Sequence, residues 1–244
     1  MLVGLIADIH SNAEALTSVL DRLSNVGELW CLGDIVGYGS DPGICVDLMK
    51  SLKNNSVIGN HDLCVLQDID ISAFSAEAAE ACKWNRNHLN KDQLAFLQSL
   101  PISIEPIPGV ILVHGSPGKD IWEYILSSWQ ADEVFSEVQA SIVFVGHSHI
   151  PLMFMKAGSA PVEYIHLSNG QVFELDRQGV KYLINPGSVG QPRDGDPRAS
   201  YMVFDTDNYR IEFHRIEYPV EVTQQKMLLA GLPSSLSDRL AIGI

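Results

Sequence analysis

Five times along this chain an apolar run ends in a small cluster of residues that can ligate a metal. The clusters are Asp8-Ile9-His10, Gly33-Asp34, Gly59-Asn60-His61-Asp62, His114-Gly115 and Gly146-His147-Ser148-His149. They hold five of the eight histidines. The runs before them, such as Leu2–Ala7, Val110–Val113 and Ile142–Val145, have the length and composition of buried strands. Carboxylates and imidazoles gathered where strands end point to a metal site mounted on rigid elements.

The early pattern predicts a β-α-β-α-β order and a parallel sheet with crossover helices. Leu2–Ala7 reads as the first strand. Ser11-Asn12-Ala13-Glu14 has the form of a capping box, with Leu16, Val19, Leu20 and Leu23 at helical spacing behind it. Leu29–Leu32 reads as a second strand, Asp41-Pro42 as a helix start, and Val57-Ile58 as a short strand delivering Asn60 and His61. Ser75–Leu89 and Lys91–Leu100 read as two helices, within an insertion at about 63–100. Strands are expected at Ile102–Ile107 and Val110–Val113, and a helix at Ala131–Gln139. From Ile150 the chain reads mostly as short strands, expected to form a second sheet packed on the first. Val222–Leu229 reads as a last helix, and the residues beyond it as weakly ordered. No internal repeat or linker divides the chain, so one domain over residues 1–244 is expected.

With 46% hydrophobic and 19% charged residues among 244, the composition fits a globular chain with an ample core. No apolar stretch reaches the roughly 18 residues of a membrane helix, and no secretory signal is evident, so a cytoplasmic location is expected. Cys31, Cys45, Cys64 and Cys82 lack any C-x-x-C spacing and read as reduced, buried thiols. The net charge of −14 argues against long nucleic acid or an anionic membrane as partner. It leaves open a small phosphate ester, because two divalent cations would reverse the local potential.

The five blocks, in this order and with no ligand position substituted, resemble the signature of the calcineurin-like metallophosphoesterase superfamily: D-x-H, G-D, G-N-H-[DE], a late H and G-H-x-H. Cys31–Gly39 and Asn185–Arg193 resemble further hallmarks of its small prokaryotic, phosphodiesterase-like branch. The resemblance implies an αββα sandwich of two mixed sheets flanked by helices. It implies a first metal on Asp8, His10 and His149, a second on Asn60, His114 and His147, and Asp34 bridging them with one oxygen to each. Mn²⁺ comes first among the candidate ions, with Fe, Zn²⁺ and Ni²⁺ also compatible with mixed O and N ligands. A metal-bridging hydroxide is then the nucleophile of a phosphodiesterase. His61, as imidazolium, protonates the leaving group or holds the phosphate, and Asp62 orients its ring. Asn12 and Arg193 are second-tier candidates for substrate contact.

Each feature has an ordinary explanation when taken singly. Asp8 could cap a helix, Gly33-Asp34 could be a turn, and His114 could be a core histidine. His147 and His149 flank Ser148 and would point the same way on an extended strand. Asn12 could be only a helix cap, Asp62 only a turn residue, and Arg193 could pair with Asp194 or Asp196. Tyr38, Trp122 and Trp129 could line a site mouth or belong to the core. His88, His166 and His214 fall outside every block and read as structural. The joint occurrence of the blocks is what favours a metal site. The alternatives to a phosphodiesterase are a phosphomonoesterase, a nucleotide-pyrophosphate hydrolase, or a non-catalytic scaffold of the same fold. The intact ligands and His61 argue against the scaffold.

Overall fold

Alternation along each central strand divides its side chains between two cores, which is why these strands read as unbroken apolar runs. The computed structural model describes residues 1–67, 74–118 and 121–244. Its elements run β1 (Leu2–Ile6), α1 (Ala13–Arg22), β2 (Glu28–Cys31), α2 (Pro42–Ser51), β3 (Asn54–Ser56), α3 (Asn60–Leu66), α4 (Ala76–Asn87), α5 (Lys91–Gln98), β4 (Ser103–Ile107) and β5 (Val110–Val113). They continue with α6 (Ser128–Glu137), β6 (Ile142–Phe144), β7 (Leu152–Ala157), β8 (Glu163–Ile165), β9 (Val172–Glu174), β10 (Val180–Asn185), β11 (Ala199–Asp205), β12 (Arg210–Ile216), α7 (Val220–Leu229), α8 (Ser234–Asp238) and a 3-10 turn (Arg239–Ala241).

Two six-stranded mixed sheets result, ordered β3-β2-β1-β11-β12-β9 and β4-β5-β6-β10-β7-β8. Val3, Leu5, Trp30, Met202 and Phe204 of the first meet Leu112, Phe144, Met153 and Ile184 of the second in the central core. Phe204 packs its ring 5.9 Å from Trp30 and 5.6 Å from Phe144. On the outer face of the first sheet, Leu29, Cys31 and Tyr201 pack against Leu16 and Val19 of α1 and Val46 and Met49 of α2. On the outer face of the second, Val143 and Leu183 pack against Val134 and Phe135 of α6. The layers are therefore α, β, β, α, as the resemblance implies.

Four expectations need correction. The C-terminal half does not make the second sheet by itself: β11, β12 and β9 extend the first, while β10, β7 and β8 join β4, β5 and β6. The third strand is Asn54–Ser56, not Val57-Ile58; its polar edge position gives no apolar run to read. Cys64 and Cys82 form a disulfide that ties α3 to α4, against the reduced thiols expected, whereas Cys31 and Cys45 are free and buried. Such a bridge is uncommon in a reducing compartment. The last residues are ordered: Leu236 and Leu240 pack with Met227, Leu232 and Ala81. Part of the expected 63–100 insertion, residues 68–73, lies outside the described residues. Among the described residues, no helix is long and apolar enough to cross a membrane.

Phe204 bridges both sheets, so Phe204→Ala should destabilise the protein by about 3–5 kcal/mol, the cost typical of an aromatic removed from a core. Urea unfolding followed by circular dichroism measures this; a loss under 1 kcal/mol would contradict the central packing described.

Candidate metal centre

The ligand-type residues lie where strands stop. Asp8 and His10 follow β1, Asp34 follows β2, His114 follows β5, and His147 and His149 follow β6, while Asn60 is the first residue of α3. This is the carboxyl-end crevice where open α/β sheets commonly bind ligands. All seven are buried, none more than 5% exposed. Asp8, His10, Asp34, His147 and His149 all have left-handed backbones, with φ from +49° to +67°. Non-glycine residues pay for that conformation, and such strain gathers at functional sites. It also corrects the extended-strand reading of His147 and His149: their turns send them to different parts of the cluster. Gly59 is needed for close approach, since a Cβ there would lie 2.1 Å from Asp34 Oδ1.

The ligand atoms fall into two groups that share Asp34. One is Asp8, His10, Asp34 and His149; the other is Asp34, His114 and His147; within each, the atoms lie within 4.8 Å of one another. Asn60 joins the second group, its Oδ1 2.9 Å from His114 Nε2. Asp34 Oδ1 accepts the His61 backbone N–H at 2.8 Å. Its Oδ2 has no hydrogen-bond partner and sits 3.5 Å from His10 Nε2 and 3.4 Å from His114 Nε2. A single oxygen thus stands between the groups, rather than one oxygen serving each. Asp8 Oδ2 is likewise buried without a partner.

The histidine rings show why a cation fits. His10, His114 and His149 each donate Nδ1–H to a backbone carbonyl, of Val36 at 3.3 Å, Leu32 at 2.7 Å and Gln191 at 2.6 Å. His147 uses Nε2–H instead, toward the Trp122 carbonyl at 3.1 Å. Each ring therefore keeps one nitrogen for the cluster, the usual outer arrangement around a metal-bound imidazole. The consequence is sharpest for His10 and His149, whose Nε2 atoms lie 2.9 Å apart. Burial holds both rings well below the ordinary histidine range, with Arg193 adding to the effect on His149. Two neutral rings facing each other with lone pairs repel; a cation between their partners relieves that contact.

The carboxylates carry the complementary pattern. Burial pushes Asp8 up to about 7, against the pull of His114. Burial opposes ionisation of Asp34 too, but the charges of His114 and His61 outweigh it and hold Asp34 well below the usual carboxylate range. Burial would lower His114, yet Asp34 prevails and holds it at about 9. In the protein alone, a proton on His114 balances the charge that a metal would otherwise balance.

The remaining sequence candidates divide. A cavity of about 410 Å³ opens above the cluster, and His61, Tyr38, Trp122 and Arg193 line it. Arg193 pairs with neither Asp194 nor Asp196, which hold Arg215 and Arg198 instead. Its Nη2 donates to Tyr38 Oη at 3.1 Å and Gln191 Oε1 at 3.0 Å, and its buried Nε has no partner. Burial lowers His61 to about 4, partly offset by Asp34. The expected contact from Asp62 to that ring is not made. Asp62 accepts the Val36 and Gly59 backbone N–H groups at 3.0 Å, and His61 Nδ1 has no partner. Asn12 does not face the cavity. It caps α1 through Ala15 N, and its amide donates to the Gly190 carbonyl at 2.9 Å. Trp129 is 72% exposed on α6, outside the cavity. His88 stacks on Trp84 and His214 on Tyr201, both apart from the cluster. Sequence reasoning missed Phe74, Tyr124 and Arg239, which also line the cavity. None stands in a motif block, so no local signal marked them.

Comparison with known proteins agrees with this geometry. Residues 1–209 match the calcineurin-like phosphoesterase superfamily domain. An uncharacterized protein of Methanocaldococcus jannaschii is 42% identical, covering 99% of this chain and 98% of its own. The crystal structure of a metallophosphoesterase from Sphaerobacter thermophilus superimposes with a TM-score of 0.89 at 42% identity, covering 100% of this chain and 99% of that one. A symmetrical bis(5′-nucleosyl)-tetraphosphatase of Actinobacillus pleuropneumoniae is 26% identical over 55% of this chain and 53% of its own length. Shared sequence over most of the chain, a matching fold and an intact ligand set lead to one conclusion: this protein belongs to the calcineurin-like phosphoesterase superfamily.

Proposed function

We propose that this protein is a dinuclear metal-dependent phosphoesterase acting on small substrates whose scissile phosphorus carries two ester or anhydride oxygens. The observation that carries the reading is the pair of ligand groups sharing Asp34 Oδ2 at the floor of an open cavity. Asp8, His10 and His149 would hold one divalent ion, and Asn60, His114 and His147 the other, with Asp34 common to both. Mn²⁺ is the first ion to try. Two such ions would lower the pKa of a shared water and neutralise the phosphoryl oxygens.

The chain's own residues supply the rest. In the hydrolysis the water would lose a proton to solvent and its oxygen would bond to phosphorus, while the P–O bond to the leaving group would break with its electron pair on the departing oxygen. Arg193 offers the planar donors that suit a non-bridging phosphate oxygen. His61 borders the cavity with Nδ1 unsatisfied. In its imidazolium form, which a bound phosphate anion favours against burial and the neighbouring cations, it would protonate the departing oxygen. Asp62 acts one step back, fixing the start of α3 so that Asn60 and His61 project together. A second reading, hydrolysis of a nucleotide pyrophosphate bond, is favoured by the likeness to a bis(5′-nucleosyl)-tetraphosphatase and uses the same centre.

Metal-stripped protein reloaded with Mn²⁺ should hydrolyse bis-p-nitrophenyl phosphate, and Asp34→Asn should reduce turnover by more than about 100-fold, beyond the loss typical of outer-sphere partners. Monoester cleavage alone would move the assignment to a phosphatase. Metal binding without cleavage of either ester would favour a scaffold. His61→Asn should slow substrates with alkoxide leaving groups by about 10²–10⁴-fold, and p-nitrophenyl esters less, because p-nitrophenolate departs without a proton. Equal losses on both would rule out proton donation.

Metal affinity should rise with pH. Below about 7, Asp8 carries a proton that the metal must displace, and below about 9 so does His114. Each displaced proton changes affinity by about tenfold per pH unit. Calorimetric titration in buffers of different ionisation enthalpy should show about one proton released at pH 8 and more below pH 7. A pH-independent affinity would contradict the protonation pattern described.

A further inference from the structure

Arg239 stands in the 3-10 turn after α8, beyond the residues 1–209 that match the family, yet it lines the same cavity as Arg193. Its Nε donates to the main-chain oxygen of Ile244 at 2.7 Å, and among the described residues its Nη groups make no hydrogen bond. Among the described residues, neither arginine forms an ion pair with an Asp or Glu side chain, and Glu77 attracts Arg239 from further off. Burial and the neighbouring charge of Arg193 both act against the Arg239 cation. Glu77 offsets the Arg239 charge less than Arg193 opposes it, so two like charges facing one cavity favour an anion there.

The pairing is built in. Gly195 N, two residues after Arg193, donates to the Gly243 carbonyl at 2.9 Å. Gly243 has φ +66°, and a Cβ there would lie 2.7–2.8 Å from the Asp196 backbone. Leu236 and Leu240 anchor the turn from the other side, against Met227, Leu232 and Ala81. The loop carrying Arg193 and the turn carrying Arg239 are thus joined as one rigid support.

We propose that Arg239, set beside Arg193, forms a second anion subsite for a phosphate linked to the one that Arg193 faces, so that the preferred substrates are organic di- or polyphosphates rather than simple diesters. The proposal rests on the phosphoesterase reading only for where the scissile phosphate lies. Phe74, Trp122 and Tyr124 give the cavity an aromatic wall suited to a planar base, so an adenine nucleotide is a reasonable probe.

Calorimetry on the Mn²⁺-loaded full chain, comparing α,β-methylene-ADP with AMP, tests it. The diphosphate analogue should bind about tenfold or more tightly than AMP, the worth of one charge-assisted hydrogen-bonded pair. Arg239→Ala should abolish that preference, Arg239→Lys should keep part of it, and Gly243→Val, which shifts the support without removing a charge, should reduce it. Equal affinity of the two nucleotides for the wild-type protein would overturn the subsite. So would an equal loss for both in Arg239→Ala. Bis-p-nitrophenyl phosphate is assayed in parallel: no hydrolysis with a retained diphosphate preference would sink the catalytic reading and leave the subsite standing.

Discussion

One buried carboxylate organises this molecule. Asp34 is fully enclosed, one oxygen is pinned by the His61 backbone N–H, and the other is left between two histidines from different sheets. A burial of that kind is tolerable only with positive charge close by. The surroundings answer it repeatedly: Gly59 gives up its side chain to let the carboxylate in, His114 is held protonated by it, and the ligand turns accept left-handed backbones around it. The two-sheet architecture serves to bring the ends of β1, β2, β5 and β6 to this one atom.

The surrounding hydrogen bonds explain how the turns stay strained. The Asp8–His10 turn is held from both sides: Asp8 N and His10 N donate to the Gly33 and Asp34 carbonyls, while Gly190 N donates to the Asp8 carbonyl. Ser188 Oγ donates to that same Asp8 carbonyl. Each ligand ring is steered by a carbonyl on its far side. The positions of the first ligands thus rest on main-chain groups, which no side-chain substitution removes directly.

The cluster of ligand-type residues was legible in the sequence because each member sits in a short block whose spacing is local. What lay beyond one block was not. Asp62 was read as a partner of His61, but a sequence cannot say which of several donors a buried carboxylate accepts, and the Val36 and Gly59 N–H groups take it. Asn12 was legible as a cap and illegible as anything more, since both uses need the same amide. The Cys64–Cys82 bridge joins residues 18 apart with no motif spacing. The split of the late strands between sheets depends on pairing, which alternation alone does not encode. Arg239 was invisible because it reaches the cavity from a closing segment that reads in the sequence as weakly ordered.

The antiparallel partner of β1 is β11, with Leu2 opposite Asp205. β1 is therefore flanked on one side by a neighbour made about two hundred residues later. At ordinary rates of elongation, the Asp8 turn waits roughly ten to forty seconds for the Ser188–Gly190 segment that completes its clasp. Long-range pairing of this kind slows folding as well. The cluster of ligand-type residues is then completed late on the folding route, after docking of the last strands.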